Sequence, residues 1–585
     1  MKIFSSRSFI QESVHFNSFL KTSILLLLFS SFVFTTFSQP IFEKGYSTII
    51  NYSYKDYNHR PQNHAVIQDK RGVMYFGNND GILEFDGFNW KKIPVKEKLV
   101  RSLAIDENGR IYVGARNEFG YLIADSVGEL KYHSLIHLLD QQERDFGSIW
   151  KTYVATDGIY FQTSYAIFRL NGDSINIWRP ENEYHFSFLV NDKLFVRDKG
   201  IGLKMMNKDS LVLLNTGQRF DTLEVFGMVP FNENEALIVT DKVGIFHLYN
   251  IDSPDKTRLV RHFTVIDNFL TENAINNVIR IAEHKYSFGT WGSGVILYDQ
   301  STDQFEIINN NAGLQNEIIQ YQFLDNRNNL WLALDNGISM VSISVPVSFY
   351  KNKAGLETTI ESITRFNNYL YVATRTGTYY LSHPGGLNIA PTSSGQPYYN
   401  KPGFLQVDEV TDECWGLLSY QMQNDKFLFV ALNNKVFLVD KNNSVIDKLD
   451  NIPWDFWQSK QDPHLVFIGV ENGIESYYLE NGEWTKDAKI KGIEERIYKI
   501  TEDLSGNLWM GTNNSSVYVM NITNYSLTKE DPKVFRYDTV HGLPEGDIYV
   551  ELVNEKPLFA TAKGLYTFLP DQERFEPDTS FGAEF

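Results

Sequence analysis

The chain has 585 residues, 43% hydrophobic and 14% aromatic with Phe and Tyr prominent: enough for two or more domains with large cores, in a composition that favours strands. The net charge is -18 with no dense Lys/Arg cluster, which argues against nucleic-acid binding by this chain, since phosphate contacts supply most of that affinity. The single cysteine, Cys414, excludes an intramolecular disulfide and a cysteine-rich zinc site.

Lys2, Arg7 and Lys21 precede the apolar run TSILLLLFSSFVFTTFS (residues 22–38), which closes with small residues at Thr36 and Ser38 before Gln39-Pro40. This pattern predicts a secretory signal peptide over 1–38. The run is short for a spanning helix, which needs about 20 apolar residues; an uncleaved anchor is the alternative. The mature chain is expected to be exported, on the periplasmic or cell-envelope side of the membrane.

From residue 46 onward one pattern repeats: a polar turn, a bulky residue, a small residue two positions later, a short loop, and another apolar run. The bulky anchor falls at Tyr75, Tyr112, Tyr160, Phe195, Leu237, Tyr286, Trp331, Tyr371, Phe429, Phe467, Trp509 and Leu558. The mean interval, about 44 residues, is that of a four-stranded propeller blade. In "YKITEDLSGNLWMGT" the Asp-x-x-Gly-Asn segment supplies turn chemistry: Asp and Asn bond local backbone and Gly takes positive φ. Trp509 then serves as a packing knob, and the glycine two residues on makes room for a neighbouring sheet. Such a sheet cannot bury both faces alone, and radial stacking solves that.

The predicted fold is therefore all-β: tandem β-propellers of four-stranded blades. The first, over 39–347, holds seven blades. Loss of the pattern near Pro346 marks the join. The second, over 348–585, holds about five and reads as incomplete, ending soon after the strand-like "GLYTFL" without a closing strand. Residues near 41–54 are expected to close the first blade as a latch.

The segments "QDKRGVMYFGNNDGILEFDGFNW" and "EDLSGNLWMGT" resemble the two-component-regulator propeller repeat, and "YSYKDYNHRPQNHAVIQDKRGVMYFGNNDGILEFDGFNWKKIPV" resembles the start of propeller sensors that also carry a triple-tyrosine domain. The resemblance runs from Tyr46 to Phe568. It implies an extracytoplasmic sensor region of a signalling or transcription regulator, some members of which recognise breakdown products of glycans. No triple-tyrosine domain, second membrane helix, kinase box or helix-turn-helix stands within the 585 residues, so output is expected from elsewhere.

The candidate site follows from strand order. If the Asp turn joins the first and second strands of a blade, then the loop between the second and third strands shares the opposite end with the lead-in to each first strand. Arg116, Asn117, Tyr165, Trp291 and Arg375 fall in such loops, and the lead-ins include "TENAINNVIR", "GLQNEIIQY", "GLETTIESI" and "GLPEGDIYV". Aromatic and polar groups converging on a concave face suit a small polar ligand or an oligosaccharide. Trp291 is the first candidate; Trp150, Trp415, Trp454 and Trp457 are weaker ones. No catalytic residue is assigned: "WGSG" lacks the nucleophile-elbow spacing around Ser293. The twelve histidines show no metal spacing, and no metal or cofactor is expected. The function so read is a non-enzymatic ligand-sensing module that works with a second copy or an envelope signalling partner; a secreted glycan hydrolase or lyase, or a protein-binding scaffold, is the alternative.

Overall fold

The computed structural model has twelve four-stranded antiparallel sheets; eleven are meanders of four consecutive strands, and one takes three consecutive strands and Ile49–Tyr52. It describes residues 45–582, apart from 346, 351–354, 357, 383–402, 424, 451, 481, 526–531 and 581. The predicted signal peptide lies outside the described residues. No helix among them is long and apolar enough to cross a membrane. The sheets fall into two compact units.

The first unit holds sheets 1 to 7, whose innermost strands are Asn63–Gln68, Val100–Ile105, Lys151–Ala155, Tyr184–Val190, Val225–Asn232, Ile275–Ala282 and Ile319–Leu324. Neighbouring innermost strands lie against one another all the way round, and Ile319–Leu324 returns to Asn63–Gln68. The cores show the same closure. Val66, Phe76 and Leu83 of sheet 1 meet Trp331 and Ala333 of sheet 7 in one buried cluster, as Ala65, Tyr75 and Ile82 meet Leu103 and Val113 of sheet 2 in another. Every one of the seven sheet-to-sheet gaps is filled by such a cluster. This is a closed seven-bladed β-propeller.

The latch exists but closes a different blade from the one the sequence suggested. Ile49–Tyr52 pairs antiparallel with Ile338–Ser342 as the outermost strand of sheet 7, not of sheet 1. Its two faces feed two cores: Ile49 packs on the cluster between sheets 6 and 7, Tyr52 on that between sheets 7 and 1. Asn51 adds a bond to the Gly313 carbonyl at 2.9 Å and accepts one from Ser339 Oγ at 2.7 Å.

The second unit holds sheets 8 to 12, with innermost strands Ile360–Phe366, Cys414–Met422, Pro453–Gln458, Ile497–Glu502 and Tyr549–Val553. Four buried clusters join the five sheets in succession. Among the described residues, no fifth buried cluster links sheet 12 to sheet 8, and Ile363, on the face of sheet 8 turned away from sheet 9, is 60% exposed. Sheet 12 does have its fourth strand, contrary to the sequence reading: Arg574–Pro577 pairs with Gly564–Leu569. The segment RFEP is too short and too polar to stand out by periodicity, and Phe575 alone reaches the core.

Candidate functional site

The most repeated motif builds turns. Asp503 Oδ1 accepts the Ser505 and Asn507 amides at 2.9 and 3.0 Å, and Oδ2 accepts Trp509 Nε1 at 2.8 Å. Asp325 does the same for Arg327, Asn329 and Trp331, and Asp69 for Arg71, Val73 and the Tyr75 hydroxyl. The small residue after the knob is a clearance. A Cβ on Gly77 would lie 3.0 Å from Val100 Cγ1, one on Gly289 2.8 Å from Ile319 Cγ2, and one on Gly469 2.9 Å from the Ile497 carbonyl oxygen.

The opposite end of the sheets is built differently. In ten of the twelve sheets the innermost strand carries a β-bulge at its start. A bulge sets one extra residue against the partner strand and re-aims its side chain. The bulged residues are His64, Arg101, His185 with Phe186, Phe226, Asn276 and Gln320 in the first unit, and Glu361, Trp415, Trp454 and Tyr498 in the second. Sheets 3 and 12 are the exceptions, and there Trp150 and Tyr549 stand at the strand start. The loop residues chosen from the sequence lie at the same end, because the second strand of each blade runs towards it.

At the first unit's mouth, Arg101 lies 5.2 Å over the Trp150 ring and its Nη1 is 3.1 Å from the His64 imidazole. Burial and the Arg101 charge hold His64 down to about 4, so it is neutral at pH 7. Behind Trp150, the Lys151 ammonium sits 5.3 Å from the Phe186 ring of sheet 4 and 5.6 Å from the Tyr321 ring of sheet 7. Side chains from three sheets thus meet on the axis and form a floor under the rim of bulged residues. Burial pushes the Lys151 ammonium down to about 8 and the Tyr321 phenol up.

The sequence-chosen residues here are scattered rather than joined. Tyr165 is 63% exposed and Trp291 45%, each on its own loop. Trp291 makes a backbone bridge to Ile318, and Arg116 one to Ser148. Asn117 serves its loop, donating to Asp145 at 2.9 Å and accepting the Gly147 amide at 2.6 Å. Among the described residues, no side-chain hydrogen bond or ring contact joins Trp291, Tyr165 and Arg116. Ser293 is a turn residue bonded to Asn273 and Thr290.

In the second unit the sequence-chosen residues meet. Arg375 pairs with Glu361 at 2.8 Å and lies 5.9 Å over the Trp415 ring. Trp415 is 6.1 Å from Trp454, Trp454 5.4 Å from Tyr498, and Tyr498 stacks on Tyr549 at 5.6 Å with the planes 7° apart. Four aromatic rings from sheets 9 to 12 therefore form one continuous row. Arg496 lies 4.4 Å over Trp454 and is held by a two-pronged pair to Glu471 at 2.7 and 2.5 Å. Below the row, Asp455 faces Lys499 at 3.5 Å, and Lys499 faces Glu551 at 3.3 Å. Desolvation raises Asp455 to about 6 despite that cation. Trp457 is not part of the row; its Nε1 donates to the buried Glu502 at 3.0 Å. Cys414 is buried, which raises its thiol to about 11.

Sequence reasoning missed His64, Arg101, Lys151, Arg496, Tyr498 and Tyr549 as site residues. The lead-in segments did contain Asn276, Gln320, Glu361 and Tyr549, so the signal was the position just after the first apolar residue of each innermost strand. Among the described residues, no group of three or more His, Cys, Asp or Glu side chains is placed to hold a metal.

No family model matches the chain, and no curated protein matches it in sequence. Solved structures are similar to it. The extracellular domain of a putative hybrid two-component system from B. thetaiotaomicron is 14% identical, over 89% of this chain and 83% of that one, with a TM-score of 0.44. The extracellular domain of a putative one-component system from the same organism is 16% identical, over 92% and 79%, with a TM-score of 0.40. Virginiamycin B lyase from Staphylococcus aureus is 14% identical, over 51% of this chain and 98% of its own, with a TM-score of 0.38.

Proposed function

We propose that this protein is a non-enzymatic sensing module, exported from the cytoplasm, that binds an oligosaccharide or similar small polar ligand for a two-component-type signalling system. The observation that carries this reading is the row Trp415–Trp454–Tyr498–Tyr549. Aromatic rings 5.4 to 6.1 Å apart make a continuous apolar strip, and sugar rings carry apolar C–H surface that packs on such rings. Arg375, Glu361, Asn433, Glu471 and Arg496 flank the strip with donors and acceptors. A few placed polar groups beside an apolar surface give orientation and specificity. The resemblance of the repeats to the two-component-regulator propeller supports the signalling role. Binding transmits a signal only through different affinity for two states of the receiving assembly, a second copy or an envelope partner.

The test is a thermal-shift and tryptophan-fluorescence screen of the purified protein against a broad panel of oligosaccharides. A saturable hit that raises the melting temperature, and is lost in Trp454→Ala and Tyr498→Ala, is expected. A panel without hits defeats the oligosaccharide reading. Release of product from a polysaccharide, abolished by changing one carboxylate, overturns the non-enzymatic one.

A further inference from the structure

The two units place a lysine at the same point and treat it in opposite ways. Lys151 follows Trp150 at the start of its innermost strand, and Lys499 follows Tyr498; they pair with Gln162 and Gly511, which hold the same place in "IYFQT" and "LWMGT". Lys499 has two carboxylates, Asp455 and Glu551, and these raise its affinity for the proton. Among the described residues Lys151 has none: its ammonium faces the rings of Phe186 and Tyr321, and burial lowers its affinity for the proton. On the adjacent sheet, Arg101 also lacks a carboxylate: it faces the Trp150 ring and the neutral His64, and its Nε is buried without a protein partner. By contrast Arg169 is paired with Asp157 and Asp209, and Lys204 with Glu181 and Asp198.

Leaving two partly desolvated cations unpaired costs free energy, and the cost is repaid when an anion arrives. In a chain of net charge -18, a local excess of positive charge at the axis of a propeller has no role in packing that Leu or Met would not fill. We propose that the mouth of the seven-sheet ring is an anion site, in which Lys151 and Arg101 take the carboxylate, sulfate or phosphate group of a small ligand, with Trp150 beside it. The lysine and arginine belong to the first unit and the aromatic row to the second, and this proposal does not rest on the ligand proposed for the row.

The prediction includes a pH dependence. A bound anion favours the charged ammonium, so affinity holds below about pH 8 and falls about tenfold per unit above it, as the free amine loses its proton. The other titratable groups facing Lys151 and Arg101 do not change charge there. Burial raises Tyr153 and Tyr321, and His64 and His185 are neutral throughout that range. Asp335, behind His64, is bonded to Gln62 and Gln320.

Calorimetric titration of the full chain with glucuronate, glucose, inorganic sulfate and inorganic phosphate decides the matter. Saturable 1:1 binding of glucuronate without glucose assigns a carboxylate; binding of sulfate or phosphate alone assigns a tetrahedral oxyanion. Either must weaken at least about tenfold in Lys151→Met and in Arg101→Gln. Arg101 lies on the rim, so Arg101→Gln remains informative if Lys151→Met does not fold, as judged by circular dichroism. No binding by any anion up to about 10 mM, or binding indifferent to both the Arg101 change and pH 8 to 10, overturns the proposal.

Discussion

Trp509 Nε1 donates to Asp503 Oδ2 at 2.8 Å across six residues of chain, and Trp331 Nε1 donates to Asp325 Oδ2 at 2.9 Å with the same spacing. The aspartate that shapes the turn thus also fixes the indole that fills the gap between sheets. Turn and core are set by one carboxylate. Trp509→Phe keeps an aromatic ring but loses the bond, and is expected to cost about 1.5–3 kcal/mol in urea denaturation, the range for a hydrogen bond to a charged group. Asp503→Ala also strands the Ser505 and Asn507 amides and should cost more; equal costs would mean that the backbone bonds contribute nothing.

Two strand glycines, Gly511 after the Trp509 knob and Gly416 in an innermost strand, differ in how much room they guard. A Cβ on Gly511 collides with the Ile548 carbonyl oxygen, a backbone atom that cannot rotate away. On Gly416 the nearest atom is Ala431 Cβ at 3.6 Å, an ordinary contact. Gly511→Ala should destabilise the second unit by about 1–3 kcal/mol, as overpacking does, whereas Gly416→Ala should stay within about 0.5 kcal/mol. Thermal melts of the two variants make the comparison.

Tyr52 carries the latch. Its ring lies 5.2 Å from Phe85, 5.5 Å from Trp90 and 5.9 Å from Trp331, joining sheet 7 to sheet 1. Tyr52→Ala should cost about 2–4 kcal/mol. Hydrogen exchange should then quicken first in Ile338–Ser342, the strand paired with Ile49–Tyr52. Protection unchanged there would show that the ring holds closed without the latch.

Acid should act on the two units with opposite sign. His64 and His185 are held at about 4 in the folded first unit, against about 6.5 unfolded. Their contribution is full above about pH 6.5 and is lost between 6.5 and 4, because the unfolded chain takes up protons that the folded one refuses. Each shift corresponds to about 3 kcal/mol. Asp455, raised to about 6, works the other way: the folded second unit holds the proton that the unfolded chain releases, so its stability rises as pH falls from about 6 to about 4. Denaturation at pH 4.5 and 7.5 should show His64→Gln flattening the first dependence and Asp455→Asn the second.

The sequence alone determined the repeat, the strand period and the all-β class. These depend on contacts within about fifteen residues: an aspartate bonding amides two and four positions on, an aromatic knob at six, a small residue beyond it. It also determined which end of a blade each loop reaches, since that follows from strand alternation. Tertiary structure decided what local signals do not encode. Ile49–Tyr52 joins sheet 7, which has only three strands of its own, whereas sheet 1 already ends in Trp90–Ile93; that edge lies almost 290 residues along the chain, beyond the reach of local signals. The short RFEP strand forms because Gly564–Leu569 is there to receive it. The row Trp415–Trp454–Tyr498–Tyr549 needs four sheets side by side before its rings touch. Trp291, the most prominent residue in the sequence, gained no such neighbour. The isolation of Lys151 is a statement about what surrounds it from three sheets, and a residue's missing partners are fixed only when the ring closes.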